Sequence, residues 1–143
     1  MTTLYHFAGL TNGIVVGTGN KIEDFGVGFF TKYGDGGVDI SPIADLYKSE
    51  VYALADALGV VKEIQDATPT DGLWDDGRTD EDQMGATYEE LEWAMQEAEK
   101  PSSGSMTDRQ KEVVAIYERL HNANSHKMNP IPVFSRSNIT KGT

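Results

Sequence analysis

Apolar residues recur at helical spacing in four stretches of this chain and run unbroken in one. Leu4, Phe7 and Ala8 share one helical face and predict the end of a helix over 1–10. Tyr47, Val51, Leu54, Ala55 and Leu58 predict an amphipathic helix over 45–58, with Gly59 as its stop. Tyr88, Leu91, Met95 and Ala98 predict a third, opened by the capping box Thr87-Tyr88-Glu89-Glu90. Val113, Tyr117 and Leu120 predict a long last helix, opened by Thr107 with Gln110 and ending near Asn122. The unbroken run is Ile14-Val15-Val16, the length of a buried strand. Residues 21–30 hold two glycines and three phenylalanines and predict a short helix that gives way to a buried turn. Residues 33–37 and 68–82 predict loops, 100–105 a break, and the prolines within 129–133 an extended tail. One strand among several helices is too little sheet for a self-sufficient doubly wound fold, because a parallel strand needs neighbours.

Composition narrows the picture without deciding it. A chain of 143 residues has the length of one ordinary domain. It has no cysteine, which excludes disulfides and thiolate metal sites. No stretch is long and apolar enough for a membrane span, and 1–10 has neither the basic flank nor the cleavage site of a signal peptide. A cytoplasmic protein is the expectation. The formal charge of -11 argues against a nucleic-acid partner. Residues 66–99 carry twelve acidic residues against Arg78 alone, so that segment holds the whole excess. It reads as a solvated, solubilising face. Its 75–82 run lacks the spacing of a calcium-binding loop.

Candidate chemistry gathers after the strand. Gly17-Thr18-Gly19-Asn20 offers backbone N–H groups and a hydroxyl where a strand turns into a helix, a geometry suited to an anion. Glu23 follows, then Lys32, Asp39 and Lys48 around a glycine-rich loop. Hydroxyl, carboxylate and ammonium groups so close to a strand end suit a nucleotide and its metal ion. Each has a plainer reading. Thr18 serves equally as a helix cap, Glu23 as a surface helix residue, and Lys32 with Asp39 as a solvated loop pair. Thr70 is also a turn hydroxyl, and His126-Lys127 a cation pair at a helix end. Lys48 opposes the helix dipole in a first turn, which hints at a role. His6 and His121 read as structural or exposed.

The wording of the segment says more than its spacing. VVGTGNKIEDFGVGFFTKYGDGGVDISPIADLYKSEVYALA, followed by TPTDGLWDDGRTDEDQMGATYEELEWAM and Ser125-His126-Lys127, closely resembles the ammonia-dependent NAD synthetases. The resemblance implies an α/β fold, a partial Rossmann-like, PP-loop ATPase-like unit that is mostly helical in this portion. It implies that 1–143 is the C-terminal half of a catalytic domain. The family's Ser-Gly-Gly-x-Asp-Ser loop, with its magnesium-binding Asp, does not occur in these residues.

By the same resemblance Thr18, Lys48 and Thr70 contact ATP. Lys32, Asp39, His126 and Lys127 contact deamido-NAD, and Glu23 binds Mg2+. The implied activity is ligation: deamido-NAD is amidated to NAD with ammonia, ATP serving as co-substrate. The implied assembly is a homodimer, with the 1–10 helix in its interface. A chain lacking the pyrophosphate loop is expected to be inactive alone. A non-catalytic nucleotide-binding or interaction module, or a purely structural fragment, stands as the alternative.

Overall fold

A computed structural model describes residues 1–136. These residues fold into six α-helices and one π-helix: α1 (Thr2–Thr11), the π-helix (Ile22–Val27), α2 (Lys48–Ala57), α3 (Lys62–Gln65), α4 (Asp80–Met84), α5 (Tyr88–Glu99) and α6 (Asp108–Met128). Among the described residues no helix is long and apolar enough to cross a membrane.

The packed part is built by the π-helix, α5 and α6, each lying against the other two. Ile22, Val27, Leu91, Met95, Val113 and Tyr117 form its centre, with Met84 and Tyr88 at one end. The predicted caps are in place. The Thr87 hydroxyl accepts from Glu90 N at 3.2 Å, and the Thr107 hydroxyl from Gln110 N at 3.2 Å. Tyr88, Leu91 and Met95 are buried as their spacing predicts, but Ala98 is exposed and Ala94 is buried instead.

The π-helix realises the short helix and buried turn expected over 21–30. The Asn20 side chain is buried and starts it, its Oδ1 accepting from Ile22 N at 3.0 Å and Glu23 N at 3.1 Å. Gly28, at φ 65°, ends it, and a Cβ there would collide with the Asn124 side chain. A left-handed residue packed against a helix leaves room for glycine alone.

Four expectations need correction. Residues 14–16 do not form a strand: a single parallel bridge joins Val16 to Ile40. Val15 alone is buried, while Ile14 and Val16 are 60% and 52% exposed. Two short parallel segments without further partners cannot propagate a ladder. The helix predicted over 45–58 starts at Lys48, because 41–46 is taken up by turns and Tyr47 is extended. The last helix does not end near Asn122 but runs to Met128. Asn122, Asn124 and Ser125 are weak helix formers, and tertiary bonds override them. Asn124 donates to Val27 O at 2.8 Å, and Lys127 to Gly28 O and Phe30 O at 2.9 and 2.8 Å. Finally, α3 and α4 occupy stretches in which no helix was expected. Thr79 caps α4 by accepting from Asp82 N at 3.0 Å, and the Asp82 carboxylate returns a bond to Thr79 N at 2.9 Å.

Candidate active site

Of the side chains anticipated at the nucleotide, Lys48 pairs with the Glu23 carboxylate, and Thr18 and Thr70 share a cleft with it. Glu23, in the first turn of the π-helix, holds three donors. The Tyr88 hydroxyl lies 2.6 Å from its Oε1, Lys48 Nζ lies 3.3 Å from the same oxygen, and Asn20 N lies 3.2 Å from Oε2. These partners come from three separate elements. The Glu23 and Lys48 side chains are only 17% and 19% exposed, so the pair is half desolvated and stronger than an open surface bridge. Lys48 also lies over the Tyr88 ring, 4.6 Å from its centroid. The ion pair offsets what Lys48 loses as the first residue of a helix.

Glu23 opens into a cleft of about 710 Å³, which is also lined by Thr18, Phe29, Phe30, Thr70, Asp80 and Lys127. Thr18 is exposed beside the bridge between Val16 and Ile40. The Thr70 hydroxyl accepts from Gly72 N at 3.2 Å and reaches Arg78 O at 3.3 Å, so it also holds its own turn. Lys48 faces the far side of Tyr88, in a neighbouring hollow of about 400 Å³.

A second hollow, about 630 Å³, lies beside the glycine-rich turn, lined by Met1, Thr2, Tyr5, Lys32, Tyr33, Gly36, Gly37, Val38 and Lys127. Lys32 and Lys127 therefore stand together, with Lys127 bordering both cavities. Both cations are anchored to backbone, Lys32 donating to His126 O at 2.5 Å. The His126 ring is exposed in the last turn of α6, not beyond the helix. Asp39 does not line the hollow but acts on Tyr5, which does. One of its oxygens accepts from Val15 N at 2.8 Å, and its charge helps hold the Tyr5 phenol above its ordinary pKa, after burial. His121 is structural, its Nδ1 sitting 2.7 Å from Gly26 O and its ring stacked on Tyr117.

Two residues at the cleft escape the sequence reading. Tyr88 registers only as an apolar helix position, yet its hydroxyl spans 65 residues to reach Glu23. Burial first, then the hydrogen bond to Glu23, holds its phenol far above the ordinary range. Asp80 is hidden inside the acidic run. It is 8% exposed, its Oδ2 lies 3.4 Å from the Tyr88 hydroxyl, and its Oδ1 has no hydrogen-bond partner among the described residues. Burial, and then Glu23, raise its pKa. Asp24, packed against Gly19, is pushed up to about 6 by burial, then by Glu23 and Asp35. The acidic segment is thus not simply a solvated face. Glu92 and Glu97 are also buried, and Glu92 accepts from Ser49 N and Oγ at 2.9 and 2.8 Å. A T-x-x-D cap at Thr79 was the available signal that 79–84 is structured.

Residues 1–131 match the model of the NAD synthase family. The chain belongs to the NAD synthase family. An NH3-dependent NAD+ synthetase of Alkaliphilus metalliredigens is 46% identical over 134 residues, which is 92% of this chain and 50% of that protein. One of Methanococcoides burtonii is 51% identical over 96 residues, 67% of this chain and 36% of that protein. A solved NMN synthetase from Francisella tularensis superposes with a TM-score of 0.79 at 36% identity, covering 94% of this chain and 52% of that one. An NH3-dependent NAD synthetase from Campylobacter jejuni shares the fold, with a TM-score of 0.69 at 23% identity. The chain spans about half the length of the relatives it matches. Its fold is the NAD synthase fold in part, mostly helical in this portion.

Proposed function

We propose that this NAD synthase chain supplies the second half of an ammonia-dependent NAD synthetase site. In the reaction, the nicotinate carboxylate of deamido-NAD attacks the α-phosphate of ATP and pyrophosphate leaves. Ammonia then attacks the acyl-adenylate, AMP departs, and the amide of NAD forms. No side-chain nucleophile takes part, which agrees with a chain without cysteine. The observation that carries the reading is the Glu23–Lys48 pair, in which Glu23 lines a cleft shared with Thr18 and Thr70 and Lys48 lines the neighbouring hollow.

Each residue has a task in that reading. Thr18 and Thr70, which both line the cleft, present hydroxyls to ATP. Lys48 exchanges Glu23 for a phosphate oxygen, and the Tyr88 hydroxyl keeps Glu23 in place as it does so. Positioned donors and a desolvated ammonium lower the barrier by orienting the α-phosphate and stabilising its charge. Lys32, Lys127, His126 and Asp39 belong to the dinucleotide side, around the second hollow.

Magnesium, which the family implies, fits these residues. A carboxylate on the cleft wall and an unpartnered buried oxygen at Asp80 match the hard-oxygen ligands it takes alongside phosphate and water. Glu23 would hold it, and its charge would neutralise the departing pyrophosphate. The exposed face of α1, with Leu4, Phe7 and Leu10 at 54%, 58% and 69%, suits a homodimer contact. The setting we assign to this chemistry is the cytoplasm.

The test supplies ATP, magnesium, ammonium and deamido-NAD and follows NAD. The chain by itself is expected to give none. Together with the unmatched half of the Alkaliphilus metalliredigens relative it is expected to give turnover. NAD from the chain alone, or none from the combined halves when they associate, overturns the reading.

A further inference from the structure

Asp80 is the buried group for which the fold has least use. It opens α4, but α4 is capped by Thr79 and Asp82, not by Asp80. Its Oδ2 receives the weaker arm of the Tyr88 hydroxyl, 3.4 Å against 2.6 Å to Glu23. Its Oδ1 is buried at the cleft wall and meets no donor among the described residues. An ionised carboxylate with an empty, buried oxygen is costly unless something positive comes to it. The nearby ammonium, Lys48, is committed to Glu23. One phenolic oxygen touches both carboxylates and so fixes their separation, while Asn20 N steadies the other oxygen of Glu23.

We infer that Asp80 is a second carboxylate ligand of the divalent cation, so that this chain by itself brings two of the cation's oxygen donors. A small divalent ion held by one or two carboxylates, with water and phosphate completing its shell, has the right chemistry for this pair. Tyr88 is the positioning residue that holds the two at one distance. The inference rests on the assignment of Glu23 to the cation, and the variants separate the two claims.

The experiment titrates the 143-residue chain with Mn2+ and reads the free ion by electron paramagnetic resonance, without nucleotide. Wild type is expected to bind, and Glu23→Gln and Asp80→Asn each to weaken binding about tenfold or more. Asp71→Asn removes one charge from the same cleft but no unpartnered oxygen, and should change affinity by no more than about twofold. Asp80→Asn should also melt at or above the wild-type temperature. Wild-type Mn2+ affinity in Asp80→Asn, with Glu23→Gln weakened, overturns this inference and leaves the proposed function standing. Wild-type affinity in Glu23→Gln overturns both. Equal losses in Asp71→Asn and Asp80→Asn, a lower melting temperature in Asp80→Asn, or no binding by wild type each overturn the inference.

Discussion

Two regions of this chain both carry apolar side chains and meet different ends. In the π-helix, α5 and α6 a core of those side chains is sealed: Ile22 and Leu91 are 0% exposed and Val113 is 1%. In α1, α2 and α3 no residue is buried. Leu10, Leu58 and Ile64 stand 69%, 73% and 66% exposed, and Ile14 and Val16 are open beside them in sequence. Hydropathy does not explain the difference, because the open helices α1 and α2 are more apolar on average than α5 and α6; partners do. The three elements of the first all pack on one another, whereas α1 has no comparable helix partner among the described residues and α2 leans on α5 and the short α3. An open apolar face of this extent marks a surface made to be covered. The candidate site lies along the seam, with Glu23 on the sealed side and Lys48 on the open one.

The largest expected contrast is in the cores. Leu91→Ala should cost about 2–5 kcal/mol in urea unfolding, as cavity-forming substitutions do. Leu58→Ala should stay within about 0.5 kcal/mol. A comparable loss at Leu58 would break the comparison, because that face would then be packed already.

Next is the tie across the seam. Glu92 takes two bonds from Ser49, and this is what fastens the start of α2. Glu92→Ala should cost about 2 kcal/mol, from lost charged hydrogen bonds. The loss should appear as local opening of α2, with faster amide exchange there and little change in α6. Uniform acceleration through α5 and α6 would mean that α2 and the packed part unfold as one.

The smallest effect sharpens the sealed side. Arg109 grips Glu90 with two bonds of 2.7 Å and joins α6 to α5. This hydrogen bonding holds the Glu90 carboxyl below its ordinary 4.5. A depressed carboxyl contributes stability above its unfolded value and loses it as pH falls through the folded one. Glu90→Gln should therefore cost up to about 1 kcal/mol near neutrality and nothing in strong acid. A pH-independent difference would remove the ion pair as its cause.

Much of the helical scaffold is legible in the sequence, since caps and periodicity are local. Thr87, Thr107 and Gly59 mark their boundaries as read. The end of α6 is not legible, because Asn124 and Lys127 hold it through bonds to the π-helix that no local pattern announces. Residues 14–16 have a strand's composition, but a strand depends on neighbours that these residues do not provide. At the site, Glu23, Thr18 and Lys48 could be named from resemblance. Tyr88 and Asp80 could not, since one resembles a core residue and the other a solvated acid until α4 and α5 bring them to Glu23.

The central claim is that the open face is one side of an interface whose other side lies outside these residues. Amide hydrogen exchange at 14–16 and 38–40 tests it most directly, in the chain alone and with the unmatched half of the Alkaliphilus metalliredigens relative. The account predicts fast exchange alone and at least about tenfold protection on pairing, with α5 and α6 protected in both states. Protection of 14–16 in the isolated chain to the level of α5, or no change on adding a partner that binds, would contradict it.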